Sequence, residues 1–560
     1  MKSRLFLLLL LSCVLVLATA QQVITPGAGI TAAAGRDMIN ANFTELYDRS
    51  DIRSNGRNIY TSAQFQAALL ESGPITLHLR ADITLTAIHT VGTDKVIIPG
   101  NYRFFQGKAG GLICMGTLDK GRDQVFSGFV AGDITGTFGS NLAYPEWWGL
   151  TDGLHDVAIN CAVKAARLVS SGFGLRVSLA TRVYDVAAPI DLASTAVALV
   201  GSGRNLTFLR ATTAWDATWV KAEQWGAPSD PANHAAMVWI GAEIASAYSY
   251  STKVIGMDIE CYNASFAHRA GGLKRVSGIS SKAGVEECSL IHDVVITNAS
   301  GFGIGFCRHK PPAGSFSAAT VNGLDISGCW ITSPTFRDAV GLHFSQWTNN
   351  CSVRCTTVDM GLHKSISSAY AAIGGGDPVI YPAPTWIRDY PLAAIVAQGF
   401  VTLTDIHIEG AIVGVLIQQC SGASNVTATN VKTIYMMDEA LGAIYKSDGL
   451  SGANPAANTA NFEYGCAVLI AGEGTGNDNL KDCVTLNSIS TLGGCPYLVR
   501  DSVYGVERTM YDMGQFPAGA LAGRFAFYTR GNAYIGAGGG ATYNKAAPST
   551  DRTYFTGPIY

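Results

Sequence analysis

Asp338, Asp359 and Glu409 are carboxylates near the starts of short β-prone runs, and His343 and His363 follow the first two of them. Asp338 precedes Gly341 by three residues, Asp359 precedes Gly361 by two, and Glu409 lies five before Gly414 beyond an inserted segment. Cleavage of a glycosidic bond takes two carboxyl groups, about 5 Å apart for retention and about 6.5–9.5 Å for inversion. Neighbouring strands lie about 4.8 Å apart, so carboxylates one or two strands apart fall near those separations without further arrangement. In "VGLHF" and "MGLHK" the alternation sends Val340, Leu342, Phe344, Met360 and Leu362 inward. It leaves His343 and His363 outward, where an imidazole can exchange protons with a reacting group. The bland alternative is a polar ladder on a solvated sheet face.

Residues 369–391, "AYAAIGGGDPVIYPAPTWIRDYP", form the best binding-loop candidate. Tyr381, Trp386, Arg388 and Tyr390, with Asp389, sit on a stiff Pro-rich frame, and aromatic faces beside polar groups suit sugar rings. A polysaccharide lyase would instead need an Arg or Lys base and a calcium-binding carboxylate group. Arg337, Arg354 and Arg388 are available, but no local motif marks any of them as a base.

The elements that must position these groups read as coils. A loose tetrad recurs as "GMDI" at Gly256, "GISS" at Gly278, "GIGF" at Gly303, "GLDI" at Gly323, "GLHF" at Gly341 and "GLHK" at Gly361. A period near twenty with one strand pattern per turn marks a solenoid, whose repeats bury their apolar faces only against each other. Leucine-rich repeats share the period but demand regular leucines that are missing here. Cys307, Cys329 and Cys351, each 22 apart, are expected to stack from coil to coil. Upstream, Thr61 is placed to cap a helix "SAQFQAALLESG", and "ITLHL" then alternates as a strand. A second helix–strand unit follows "YPEWWGL", with Asp156 as the expected cap and Ile159, Val163 and Ala166 as the apolar stripe. Trp147 and Trp148 stand beside Glu146 and could form a sugar platform, but they lie just before the helix that opens the solenoid, far ahead in sequence of the coils that carry the candidate carboxylates. They are expected to plug its apolar end. Gly201-Ser202-Gly203 lacks the third glycine of a phosphate loop.

Lys2 and Arg4, an apolar run from Leu5 to Leu17, and Ala18-Thr19-Ala20 have the form of a secretory signal peptide. Charged residues make up 14% of the chain and the net charge is -3, which argues against nucleic acid as a partner. No later segment is apolar enough to span a bilayer, so no membrane partner is expected of the mature form. Twelve cysteines remain after Cys13, at spacings that fit neither a small disulfide scaffold nor paired zinc ligands. No metal and no cofactor are expected.

"YPEWWGL", the helix "AINCAVKAA", the strand "LRVSLATRVYDVAAPIDL" and "LVGSGRNLTFLRA" together resemble the start of the pectate-lyase-like right-handed β-helix of phage tailspikes and bacterial polysaccharide-degrading proteins. "ITAAAGRDMINANFTELYDR" is similar to short head segments of phage tail fibres. The family's Gly-Asp-Gly-x-x-Asp-Asp approach to the helix is only partly kept, and just Asp152 and Asp156 carry over, as turn and cap residues. The resemblance implies an all-β solenoid, a right-handed single-stranded parallel β-helix with short N-terminal capping helices and a small C-terminal β element. The expected divisions are 1–20 signal peptide, 21–58 head segment, 59–143 β-rich lead-in domain, 144–505 β-helix and 506–560 C-terminal cap or assembly element. The resemblance also implies a polysaccharide or cell-surface glycan as partner, a homotrimer, and a place outside the cell or on a virion tail. Glycoside hydrolysis is the favoured activity, with noncatalytic adhesion and polysaccharide lysis as alternatives.

Overall fold

The computed structural model describes residues 55–165, 175–193, 196–215, 234–241, 248–267, 275–281, 284–285, 289–306, 321–332, 340–344, 348–360, 393–397, 399–411, 413–419, 425–434, 466–472, 484–492 and 497–501, with short strands at 510–512, 526–529, 535–536 and 553–554. The last residues of the expected head segment, from Gly56, already belong to the first strand, whereas the expected signal peptide, the aromatic loop and the head segment up to residue 54 lie outside the described residues. Among them no helix is long and apolar enough to cross a membrane.

Coiling starts earlier than the glycine tetrads suggest. Between Gly56 and Gly136 the chain lays down three short parallel sheets. One holds Gly56–Ile59, Ile75–Leu79, Lys95–Ile98 and Thr117–Leu118; its neighbours begin at Ile83 and Ile88. Paired residues such as Ile75 and Lys95, or Phe104 and Phe126, stand about one coil apart in sequence. Ile75, Leu77 and Leu79 point into the core as the alternation predicts. The Ser62–Leu70 helix starts at Thr61, which forms a reciprocal capping box with Gln64 and so satisfies two orphan donors.

From Leu142 onward the strands join two much longer sheets, of 15 and 11 strands among the described residues. Lys253–Glu260, Leu290–Thr297, Cys351–Asp359, Phe400–Glu409, Asn425–Ile434 and Val484–Leu492 each run along two sides around a single bent residue. Asp325–Ser327 and Trp330–Thr332 take the same place in one coil. The corners are Gly256, Asp293, Gly328, Cys355, Asp405, Asn430 and Ser488, all left-handed with φ between 49° and 65°. The register puts them one above another. Glycine reaches this conformation freely, and Asn or Asp tolerates it through short polar side chains that bond locally; Asn430 donates to Asp405 in this ladder.

The third side carries Arg275–Ser281, Phe302–Phe306, Val340–Phe344, Ala393–Ala397, Val413–Gln419, Cys466–Gly472 and Tyr497–Asp501. Here Gly278, Gly303, Gly341, Ala394, Gly414 and Ala467 form a second ladder. A Cβ on Gly341 would lie 2.7 Å from the Ala394 carbonyl oxygen and 2.3 Å from Val358 Cγ1, too close for either to remain in place. The tetrads therefore mix two roles. "GISS", "GIGF" and "GLHF" are consecutive rungs of this close approach, whereas Gly256 and Gly323 are left-handed bends elsewhere in the coil. Cys329 and Cys351 do not stack as expected, because Cys351 pairs with Val401 while Cys329 sits before the Trp330–Thr357 rung. Cys307 is outside the described residues.

Where the two stacks meet, the His155–Lys164 helix replaces a strand. Asp156 is not its cap: the N-cap position is Leu154, and Asp156 Oδ1 instead accepts from the Ala187 amide at 2.8 Å. His155 Nδ1 accepts from Asp185 N at 2.9 Å and Asn160 Oδ1 from Asp191 N at 2.8 Å. The side chains thus serve amides that have no strand below them. On the other side Cys161 Sγ lies 3.9 Å from the Phe129 carbonyl. Trp147 and Trp148 are buried against Phe138 and Phe126. Glu146 is held by Tyr184 Oη at 2.8 Å and Arg122 at 3.2 Å, so "YPEWWGL" is packing at this junction. The chain is an all-β solenoid, a parallel β-helix whose one described antiparallel pair joins Ala526–Thr529 to Thr553–Tyr554.

Candidate functional site

The left-handed corner fixes which side chains share the outer face of the second side. Counting from it, the first and third residues turn inward and the second and fourth outward. The segments read "GMDIE", "DVVIT", "GCWIT", "CTTVD", "DIHIE" and "NVKTI". The row two after the corner runs Val295, Trp330, Thr357, His407, Lys432 in successive coils. The row four after it runs Thr297, Thr332, Asp359, Glu409, Ile434.

Asp359 and Glu409 are therefore direct neighbours across adjacent strands, with backbones about 4.8 Å apart. Asp359 is buried, and Thr332 Oγ1 donates to its Oδ2 at 3.4 Å. Glu409 is more open, its side chain 30% exposed, and its Oε1 lies 2.7 Å from His407 Nε2. Trp330 is exposed to 45%, and Lys432 is exposed. This face combines two carboxylates, an imidazole, a cation and an indole, a set able to bind a polar ring and move a proton.

The other predicted residues fall elsewhere. His343 lies on the third side, in a different sheet from Asp359 and Glu409. Its ring stacks on Phe302 with centroids 4.5 Å apart and planes 7° apart. Nδ1 is enclosed without a hydrogen-bond partner among the described residues, and burial pushes the imidazole pKa down to about 4. His343 is thus a neutral packed ring at neutral pH. Asp338, His363, Tyr381, Trp386, Arg388 and Tyr390 lie outside the described residues. Arg354 is bound to Asp325, which Ser352 also contacts at 2.9 Å. Among the described residues no three His, Cys, Asp or Glu side chains converge as metal ligands.

Trp330, Thr332, His407 and Lys432 escaped the sequence reading. The signal was present: aligning segments on the corner residue, rather than on glycine, brings "CTTVD" over "DIHIE" and puts both acids in one column.

No protein-family model matches the chain, and no curated protein does. Among solved structures it is similar to the N-terminal fragment of bacteriophage Phi29 gene product 12, at 10% identity and a TM-score of 0.38, over 67% of this chain and 62% of that one. It is also similar to the gp42 tailspike of Acinetobacter phage vb_AbaP_AS12, at 12% identity and a TM-score of 0.35, over 88% of this chain and 78% of that one. A third is an alginate lyase from Paenibacillus, at 11% identity and a TM-score of 0.26, over 85% of this chain and 99% of that one. The chain spans less than two thirds of the Phi29 fragment. At these TM-scores the fold rests on the strand pairing itself.

Proposed function

We propose that this parallel β-helix binds a polysaccharide and hydrolyses it at Asp359 and Glu409. The observation that carries the reading is the in-register placement of two carboxylates on adjacent coils of one outer face, with His407 bonded to the more open one. A one-strand separation matches the shorter, retaining geometry. Glu409 then delivers a proton to the leaving glycosidic oxygen as the C–O bond breaks, and Asp359 bonds to the anomeric carbon. In the second step Glu409 takes a proton from water, whose oxygen displaces Asp359. His407 orients Glu409 throughout. The proposal extends to a homotrimer located outside the cell or on a virion tail, which sedimentation of the purified chain addresses in its oligomeric part.

A second reading, a glycan-binding attachment protein without catalysis, is favoured by one feature: Asp359 is buried and hydrogen-bonded, as a structural carboxylate would be. The test is incubation of the purified chain with capsular, lipopolysaccharide and plant glycans while both reducing ends and ultraviolet absorbance are followed. New reducing ends without absorbance support hydrolysis. Added absorbance from an unsaturated uronate identifies a lyase, and binding with neither change identifies the attachment protein.

A further inference from the structure

We infer that the outer face of the second side is a linear set of sugar subsites for an acidic polysaccharide, with Trp330 as stacking platform and Lys432 as the contact for an anionic sugar substituent. This deepens the polysaccharide reading and rests on its binding part, not on hydrolysis.

The first observation is the row itself. Trp330, Thr357, His407 and Lys432 occupy one register position in four successive coils. The rungs repeat at about 4.8 Å, close to the length of one pyranose unit in an extended glycan. A glycan lying along the row meets one rung per sugar. Trp330 is then two units from His407 and Lys432 one unit beyond it on the other side. Thr357, between Trp330 and His407, is a small residue. Trp330 keeps 45% of its surface exposed on a rigid strand, and aromatic faces so presented stack on apolar sugar faces without reordering.

The second observation is charge. On the main solenoid Lys164, Arg204, Arg210 and Arg354 each bind a carboxylate of the same chain. Lys432 has no such partner among the described residues, and the residue beside it in the acidic row is Ile434, not an acid. A cation left unneutralised one rung beyond Glu409 and two beyond Asp359 offsets the repulsion those carboxylates exert on an anionic polymer. It places the acidic sugar at the Lys432 rung and leaves the uncharged face of its neighbours over the carboxylates.

The test uses the full chain with three polymers: a polyuronate, a sulfated glycan and neutral dextran. Lys432→Met should weaken polyuronate binding at least tenfold, reduce its salt dependence and leave any dextran binding unchanged. Trp330→Ala should weaken every glycan that binds, and Trp330→Phe, which keeps a ring, should restore part of the loss if the alanine variant is poorly folded. Preference for the sulfated polymer with the same Lys432 dependence keeps the anion subsite and changes the anion. Unaltered polyuronate affinity in Lys432→Met, tighter binding of dextran, or no glycan binding at all overturns the inference. Binding that depends on Lys432 with no new reducing ends sinks hydrolysis alone. Cleavage of a neutral glycan, indifferent to Lys432, sinks the subsites alone.

Discussion

At the scale of single residues, two histidines show how position decides chemistry. His407 and His343 both stand on strands, yet His407 faces outward beside Glu409 and His343 is stacked on Phe302 in the other large sheet. If the catalytic proposal holds, Glu409→Gln lowers the rate of reducing-end formation by at least 100-fold, within the usual range for a lost acid or base, and Asp359→Asn, which removes the nucleophile, lowers it at least as much. Binding of the same glycan stays measurable. His343 makes a separate prediction through linkage. Its folded pKa, about 4, lies below the ordinary histidine value because burial disfavours the charged ring, so the unfolded chain binds the extra proton first. Stability is therefore full above about pH 6.5 and falls as the pH drops toward 4, by at most about 3 kcal/mol for the whole shift. Urea midpoints at pH 7 and pH 5 measure this, and His343→Phe should flatten the difference. The sequence made Asp359 and Glu409 visible as acids. It could not show that they are neighbours, because residues 360–408 separate them and only sheet register brings them together.

At the scale of elements, two ladders explain why the coil has corners where it does. One asks for a left-handed residue and the other for a small one, and the two demands respond differently to substitution. Ser488 occupies the left-handed corner at φ 52°, so Ser488→Gly relieves a conformational cost and should leave the thermal midpoint unchanged or slightly raised. Asn430→Val puts a β-branched residue there and should cost about 1–2 kcal/mol, read as a lower midpoint. Gly341→Val is different in kind, since its Cβ meets the Ala394 carbonyl oxygen and Val358 at once, and it should cost about 1–3 kcal/mol or prevent folding. The solenoid was legible because short alternating β-prone runs recur, but the period near twenty is not its coil length, since successive corners from Gly256 to Ser488 stand 37, 35, 27, 50, 25 and 58 residues apart. Its register was not, because Asp, Asn, Cys and Ser share the corner with glycine, and a search for glycine alone crosses from one ladder to the other. The Thr61 cap was legible because capping is local to four residues. The role of Asp156 was hidden because its partner, Ala187, is 31 residues away.

At the scale of the whole molecule, a solenoid is held by nearest-neighbour contacts, so its cooperativity is set by its weakest interface. Here the candidate is the junction between the lead-in coils and the larger coils, where the His155–Lys164 helix stands in for a strand. A strand would offer a regular ladder, whereas this helix offers three side-chain acceptors, His155, Asp156 and Asn160, to the amides of Asp185, Ala187 and Asp191. Burial raises the Asp156 carboxyl pKa and the Ala187 amide opposes that rise, so the contact works best with the acid ionised. Replacing Asp156 and Asn160 together by alanine strands two amides, at about 1–3 kcal/mol each, and leaves the apolar contacts of Trp147 and Trp148 in place. If the helix is the coupling rung, calorimetry of Asp156→Ala/Asn160→Ala should split a shared transition in two, with one stack unfolding at lower temperature than the other. A single transition that moves down as a whole would mean that the tryptophan packing, not the polar rung, couples the stacks. In that case a Trp148→Ala variant, with both polar residues intact, should be the one that separates them.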